Sequence, residues 1–184
     1  MRQSVVILFS MAAVLAGCAK QSLQATYDKQ TDYIESFIST QMSGDETATL
    51  TRNGGAYRLT LHDTMDPTRD SLQWGQRVSL YYGCFTLTSA KLTTANLVAT
   101  NLKTLAEQAR WNLTDESRYK LDTLVLNGAL VQGLADGLVG VQPGDEGYIL
   151  FTGKYGYGKN ARGTIPALSA LAYYILIDEI LPNE

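Results

Sequence analysis

The last third of the chain is a series of short segments whose order limits the fold more than any other part of the sequence. Small and apolar residues between two glycines at 133–140 predict a short helix, and the apolar run 148–152 predicts a strand. A Lys-Tyr-Gly-Tyr-Gly loop follows at 154–158, and then Gly-Thr-Ile-Pro at 163–166. The apolar run 171–180 predicts a final strand, so that a helix, a strand, a long loop and a strand follow one another.

The hydrophobic pattern of the preceding residues predicts an amphipathic helix, a hairpin and further strands. Apolar residues at steps of mostly three, four and seven between 22 and 42 predict the amphipathic helix. Alternation predicts a β-hairpin at 50–61 and a strand at 76–88. A short helix at 100–111, with Asn101 as its candidate cap, and a strand at 119–130 complete the series. The sum is an α+β fold in which an antiparallel sheet packs against a short helix.

The N-terminus has the pattern of a bacterial export signal. Arg2 precedes an apolar run at 5–15 that is too short to span a bilayer, and Leu-Ala-Gly-Cys at 15–18 resembles a lipobox. The resemblance implies cleavage before Cys18 and acylation of its sulfur and amine, which would anchor the chain to a membrane. Because Ala19 follows the cysteine, we expect the outer membrane of a bacterial envelope. The alternative is an ordinary secretory signal with an accidental cysteine.

Composition excludes several other functions. The formal net charge of −3, without a basic block, argues against nucleic acid as a partner. Once Cys18 is lipidated, only Cys84 remains, so no intramolecular disulfide can form. His62 is the only histidine, which excludes a His-rich metal site, and no nucleophile-elbow motif is present. We therefore expect no metal and no cofactor.

Taken in order, the C-terminal segments resemble the second half of an FKBP-type peptidyl-prolyl cis-trans isomerase domain. Tyr-Tyr-Gly at 81–83 resembles a strand in the first half of such a domain. The resemblance implies an antiparallel sheet curved around a short helix, here with an additional N-terminal amphipathic helix. The predicted division is a lipoprotein signal peptide at 1–17, a lipid anchor and helix at 18–46, and an FKBP-like domain at 47–184.

Prolyl isomerisation needs no nucleophile, because the barrier of about 18–20 kcal/mol arises from resonance in the imide bond. An apolar pocket disfavours the polar planar ground state, and a hydrogen-bond donor can hold the substrate carbonyl while the bond turns. The resemblance implies catalytic roles for Tyr157, as the hydroxyl donor, for Val131, through its backbone amide, and for Ile165, in the wall. It implies that the substrate-binding positions are Tyr81, Leu130, Leu134, Thr164 and Tyr173.

Two positions depart from the family pattern. Leu134 stands where the family usually has tryptophan at the pocket floor, and Val98-Ala99 stands where it has a Phe-Asp pair. Trp111, in a stretch that is longer than in a minimal FKBP domain, is a candidate replacement aromatic or else a simple hydrophobic contact.

The leading hypothesis is an isomerase that assists the folding of exported proteins by binding their proline-containing segments. One alternative is a weak or inactive peptide-binding or chaperone-like module of the envelope. Another is a purely structural lipoprotein whose cleft is filled by its own side chains.

Overall fold

A computed structural model describes residues 3–62 and 68–182, and for residues 3–19 it describes the helical backbone alone. Three α-helices and seven strands lie in these ranges. The helices are α1 (Gln3–Gly44), α2 (Lys103–Gln108) and α3 (Gln132–Leu138). The strands are β1 (Thr49–Asn53), β2 (Ala56–Leu61), β3 (Arg77–Thr86), β4 (Leu97–Thr100), β5 (Asp122–Val125), β6 (Glu146–Phe151) and β7 (Leu171–Leu181).

The strands form one antiparallel sheet in the order β1-β2-β6-β7-β3-β4, and β5 pairs with the first half of β3. The two longest strands, β3 and β7, lie side by side near its centre. The predicted α+β class, with an antiparallel sheet, a short helix against it and an N-terminal helix, is confirmed.

Helix α3 packs closely against one face of the sheet because two of its residues are glycines. A Cβ atom added to Gly133 would lie 2.2 Å from the Phe151 ring, and one added to Gly137 would lie 2.2 Å from Ile149. Leu138, also on α3, is fully buried in the same core. Burying a side chain of this size contributes about 1.5–3 kcal/mol, so the small residues of α3 bring the helix close enough for its leucines to be buried.

The opposite face of the sheet is covered by helix α1. Ile34, Phe37 and Ile38, spaced by three or four residues, are buried against Leu150 and its neighbours. The Phe37 ring meets the Tyr148 ring edge to face, with 5.0 Å between the ring centroids. This amphipathic helix therefore packs against the sheet as part of its second core.

No helix within the described residues is long and apolar enough to cross a membrane. Cys18 and the predicted signal peptide at 1–17 lie outside the residues whose side chains are described. Lipidation at Cys18 therefore stays a prediction.

The stretch between β3 and α3 differs most from the sequence-based expectation. The helix expected at 100–111 is limited to Lys103–Gln108, and the short strand β4 before it was not predicted. Asn101 does not cap the helix. Its Oδ1 accepts a hydrogen bond from the Tyr82 amide at 2.6 Å, and its Nδ2 donates to the Leu80 carbonyl at 3.0 Å. The buried Asn101 side chain therefore connects the segment that follows β4 to the backbone of β3. A contact between separate strands leaves no local sequence pattern, so the sequence did not predict it.

Candidate functional site

A cavity of about 310 Å³ opens between helix α3, strand β3 and the loop that follows β6. Six of the eight residues expected in the site line it: Leu130, Val131, Leu134, Tyr157, Ile165 and Tyr173. The remaining lining residues are Leu80, Tyr82, Cys84, Ala99, Leu124 and Ala129. None of these side chains carries a carboxylate or a cation, so the cavity is apolar apart from three tyrosine hydroxyls and one thiol.

Aromatic rings form one side of the cavity. The Tyr173 ring lies between Tyr82, with 6.2 Å between ring centroids, and Phe151, with 6.0 Å between centroids and a stacked orientation. Separations of this size are typical of attractive aromatic pairs. Phe151 in turn lies beneath Gly133, so the position of the rings is fixed by the packing of α3.

The polar groups deep in the cavity are neutral at physiological pH. Burial raises the pKa of the Cys84 thiol to about 11, although the Tyr173 hydroxyl, which hydrogen-bonds to the sulfur, acts in the opposite direction. Burial, and secondarily the negative charge that Cys84 would carry when ionised, raises the pKa of Tyr173. A ligand in this cavity therefore meets uncharged walls.

Val131 lies immediately before helix α3 and lines the cavity. Its carbonyl accepts hydrogen bonds from the amides of Leu134 and Ala135, both at 3.0 Å, while the Gly133 amide donates to the Tyr155 carbonyl at 2.9 Å. Within the described part of the chain, the Val131 N–H itself has no hydrogen-bond acceptor. The start of α3 thus leaves one donor available to a ligand.

Tyr157 lies in the loop after β6, which is held by its own backbone hydrogen bonds. The amides of Tyr155 and Gly156 both donate to the Thr152 carbonyl, at 3.0 and 3.1 Å, and the Gly158 amide donates to the Gly153 carbonyl at 2.9 Å. The Tyr157 hydroxyl has no hydrogen-bond partner among the described residues. Three donors without partners among the described residues therefore line the cavity: the Val131 amide and the hydroxyls of Tyr157 and Tyr82.

The structure corrects the placement of two expected site residues. Tyr81 does not line the cavity and Tyr82 does, because successive side chains of a strand point to opposite faces and Tyr82 shares its face with Leu80 and Cys84. Thr164 is exposed at the tip of a tight turn in which the backbones of Arg162 and Ile165 bond to each other, so only Ile165 reaches the cavity. The alternation along β3 was the sequence signal that identifies Tyr82.

Both positions that depart from the family pattern, Leu134 and Ala99, contribute apolar side chains to the cavity. Ala99 lines the cavity on β4, and Leu134, which is 6% exposed, forms part of the wall on α3. Trp111 does not enter the cavity but lines a neighbouring one of about 380 Å³, together with Asp122 and Tyr82. Burial, and secondarily the charge of Asp122, raises the pKa of Tyr82. The long insertion thus adds a second depression beside the first and supplies no replacement aromatic to it.

Comparison with known proteins identifies the family. The model for FKBP-type peptidyl-prolyl cis-trans isomerases matches residues 71–178, so the chain belongs to this family. No curated protein sequence matches the chain.

The crystal structure of FkpA from Escherichia coli is similar, with a TM-score of 0.57 and 13% identity over 100% of this chain and 74% of that one. A peptidyl-prolyl cis-trans isomerase from Pseudomonas syringae has a TM-score of 0.55 and 11% identity, over 86% of this chain and 96% of that one. The crystal structure of the three FKBP domains of wheat FKBP73 has a TM-score of 0.55 and 13% identity, over 73% of this chain and 51% of that one. At these identities the structural likeness supports the fold alone.

Proposed function

We propose that the chain is a peptidyl-prolyl cis-trans isomerase that binds Xaa-Pro segments of exported proteins in the cavity of about 310 Å³. The observation that carries the proposal is the pairing of two partnerless donors, the Val131 amide and the Tyr157 hydroxyl, with uncharged, largely apolar walls in a member of this family. The predicted export signal supports exported proteins as clients. Uncatalysed prolyl isomerisation takes tens of seconds and can limit their folding.

The proposed mechanism follows from the electronic structure of the imide bond. Resonance separates charge in the planar ground state, so transfer of the bond to an apolar cavity stabilises the less polar twisted state relative to it. The Tyr157 hydroxyl and the Val131 amide hold the substrate carbonyl while the bond turns, and Leu134, Tyr82 and Tyr173 contact the pyrrolidine ring. Each 1.36 kcal/mol removed from the barrier increases the rate tenfold.

A protease-coupled assay on Xaa-Pro peptides tests the proposal, with Tyr157→Phe as the diagnostic variant. A lost hydrogen bond of about 1–1.5 kcal/mol predicts a roughly tenfold lower kcat/KM. Tyr155→Phe is the matched control, because it makes the same chemical change in the same loop, at a ring that packs over Gly55 and does not line the cavity. A wild-type rate equal to the uncatalysed rate would exclude the isomerase activity.

A second candidate function is peptide binding without efficient catalysis. Leu134 offers less contact surface than the usual tryptophan, and Ala99 supplies no carboxylate. This candidate predicts that Xaa-Pro peptides bind with an affinity that Tyr157→Phe barely changes, while no acceleration of isomerisation is measured. Isothermal titration of the two proteins with the same peptide separates the two candidates.

We also propose that the mature protein is anchored to the outer membrane through acylated Cys18. The support is the Leu-Ala-Gly-Cys sequence and the Ala19 that follows it. Buried acyl chains contribute about 0.8 kcal/mol for each methylene, so several chains would hold the domain firmly. Mass spectrometry of the N-terminal peptide and membrane fractionation test this, with Cys18→Ser as the variant expected to remain in the soluble fraction.

A further inference from the structure

Among the described side chains of helix α1, Gln30 is polar and buried, and it lies against the loop that carries Tyr157. Gln30 is only 9% exposed. Its Oε1 accepts a hydrogen bond from the Gly153 amide at 2.8 Å, and its Nε2 donates to the Leu168 carbonyl at 2.5 Å. A single side chain of the N-terminal helix thus holds one donor and one acceptor from two separate points of the C-terminal half.

These two points are the ends of one segment, 153–168, and this segment contains both Tyr157 and Ile165. The ends lie against each other, since a Cβ atom added to Gly153 would stand 2.5 Å from the Leu168 carbonyl oxygen. The Leu168 amide also donates to the Gly158 carbonyl at 2.6 Å. The segment is therefore a closed loop, and the Gln30 amide spans its base.

We propose that Gln30 is a positioning residue for the isomerase site, acting through the base of segment 153–168 to hold the Tyr157 hydroxyl at the cavity. This inference rests on the proposed function of that cavity. It gives helix α1 a role in the site in addition to packing, although none of the side chains described for α1 lines the cavity.

The physical reason is that the loop base needs the Gln30 amide to satisfy its polar groups. Without that amide, the buried Gly153 N–H loses its acceptor, and the Leu168 carbonyl loses its donor. Buried polar groups without partners favour local opening that readmits water. Leu168 also has a positive φ of 61°, a conformation that a leucine keeps only when its surroundings hold it. Loss of the Gln30 contacts is therefore expected to loosen the segment at both ends.

Gln30→Met tests this inference, because methionine keeps the length and the helix propensity of glutamine but has no amide. We expect faster hydrogen exchange, by about tenfold or more, at the Gly153 amide. We also expect a shifted ring signal of Tyr157 in spectra of the ¹³C-tyrosine-labelled protein. In the peptide assay, kcat/KM should fall about five- to tenfold, because misplacement of a positioned donor weakens transition-state contacts.

Ile38→Val is the matched control for a purely structural role. Ile38 lies two turns further along α1, is 4% exposed and packs in the core between α1 and the sheet. Its side chain has no polar group that could bond to the loop. This variant should lower thermal stability while kcat/KM stays within about twofold of wild type. If Gln30→Met and Ile38→Val change kcat/KM and the Tyr157 signal equally, Gln30 only attaches the helix and the inference is wrong.

Gln30→Glu separates the two contacts if Gln30→Met proves unstable. The introduced carboxylate keeps an acceptor for the Gly153 amide, but its second oxygen faces the Leu168 carbonyl oxygen and repels it, so exchange should rise at the Leu168 amide and remain slow at Gly153. A wild-type protein that binds no peptide and shows no catalysis would refute the proposed function. The exchange rates and the Tyr157 signal would still decide the role of Gln30. Unchanged values in both Gln30 variants would overturn it.

Discussion

The two walls of the cavity differ in what they can offer a substrate. The C-terminal wall consists of Ala129, Leu130, Val131, Leu134, Tyr157, Ile165 and Tyr173. The β3–β5 wall consists of Leu80, Tyr82, Cys84, Ala99 and Leu124. The C-terminal wall supplies both of the donors assigned to the substrate carbonyl, whereas the β3–β5 wall supplies mainly apolar surface and, at Ala99, no carboxylate.

This difference suggests that binding and catalysis depend on different groups in the cavity, the apolar surface and the directed donors. An apolar surface with a ring on each side is sufficient to hold a pyrrolidine ring, and both walls contribute to it. Fixing the substrate carbonyl requires directed donors, and the two that we assign to it, the Val131 amide and the Tyr157 hydroxyl, both belong to the C-terminal wall. Changes to apolar side chains of either wall should therefore act mainly on affinity, whereas changes to the two donors of the C-terminal wall, or to the α3 packing behind them, should act on turnover or on the fold itself.

The largest expected effect concerns the reactivity of Cys84 in the β3–β5 wall. Its pKa of about 11, against roughly 8.5 for an ordinary thiol, lowers the thiolate fraction at pH 8 by about two orders of magnitude. In a Cys18→Ser background, labelling by a disulfide reagent should therefore be about a hundredfold slower in the folded protein than in urea. A saturating Xaa-Pro peptide should slow it further, because Cys84 lines the cavity. Rapid labelling of the folded protein would show that the β3–β5 wall is open to water.

The same shift predicts how stability changes with pH. The thiol loses its proton more easily in the unfolded chain than in the folded one, so ionisation of Cys84 favours unfolding as the pH rises from about 8.5 towards about 11. Below this range the thiol is protonated in both states and contributes no pH dependence. Cys84→Ala should remove this contribution, which can be measured by urea unfolding at pH 7.5 and pH 10.

The next effect concerns the scaffold of the C-terminal wall. Gly133→Ala places a methyl group 2.2 Å from the Phe151 ring, and overpacking of this kind should lower the free energy of unfolding by about 2–3 kcal/mol. Gly128→Ala is the matched control, since no atom lies within 4 Å of its added Cβ. Urea denaturation of the two variants measures the difference. Equal stabilities would mean that α3 can move off the sheet without cost, and that the Val131 amide is not fixed.

A smaller effect is expected from the aromatic ring of the β3–β5 wall. Tyr82→Ala removes a ring that lines the cavity and pairs with Tyr173, and should weaken peptide binding about tenfold. Tyr81→Ala, the same change on the neighbouring residue, should alter the affinity less than twofold because that side chain points to the other face. Calorimetric titration of both variants checks this. A larger loss from Tyr81→Ala would contradict the assignment of faces.

The pair of tyrosines also shows what a sequence can and cannot predict here. Alternation along β3 groups Tyr82 with Val78 and Leu80, and it identifies the correct face without any structure. The resemblance of the Tyr-Tyr-Gly triplet pointed instead to Tyr81, because a short motif does not fix the register of a strand. For a strand with strict alternation, the period was the better guide to which side chain faces the cavity.

The C-terminal wall was more predictable, because its order of helix, strand, loop and strand reflects local turn chemistry that glycine and proline make visible. The predicted helix at 133–140 and strand at 148–152 lie within two residues of the observed elements. The contacts that cross the fold were not predictable in this way. Neither the Asn101 bridge to β3 nor the contact of Gln30 with Leu168 leaves a periodic signal, since each depends on a distant backbone group.

The smallest expected effect is a gain of function at the floor of the C-terminal wall. Leu134→Trp introduces the aromatic floor that is usual in the family, and the adjacent cavity of about 310 Å³ has room for part of the larger ring. Added contact with the pyrrolidine ring should raise peptide affinity about two- to fivefold, corresponding to roughly 0.5–1 kcal/mol. Because the donors are unchanged, the turnover rate should change less than the affinity, and measuring kcat and KM separately checks this. A rise in turnover without a change in KM would show that the floor acts on the twisted state, and the assignment of binding to apolar surface and of catalysis to the donors would then fail.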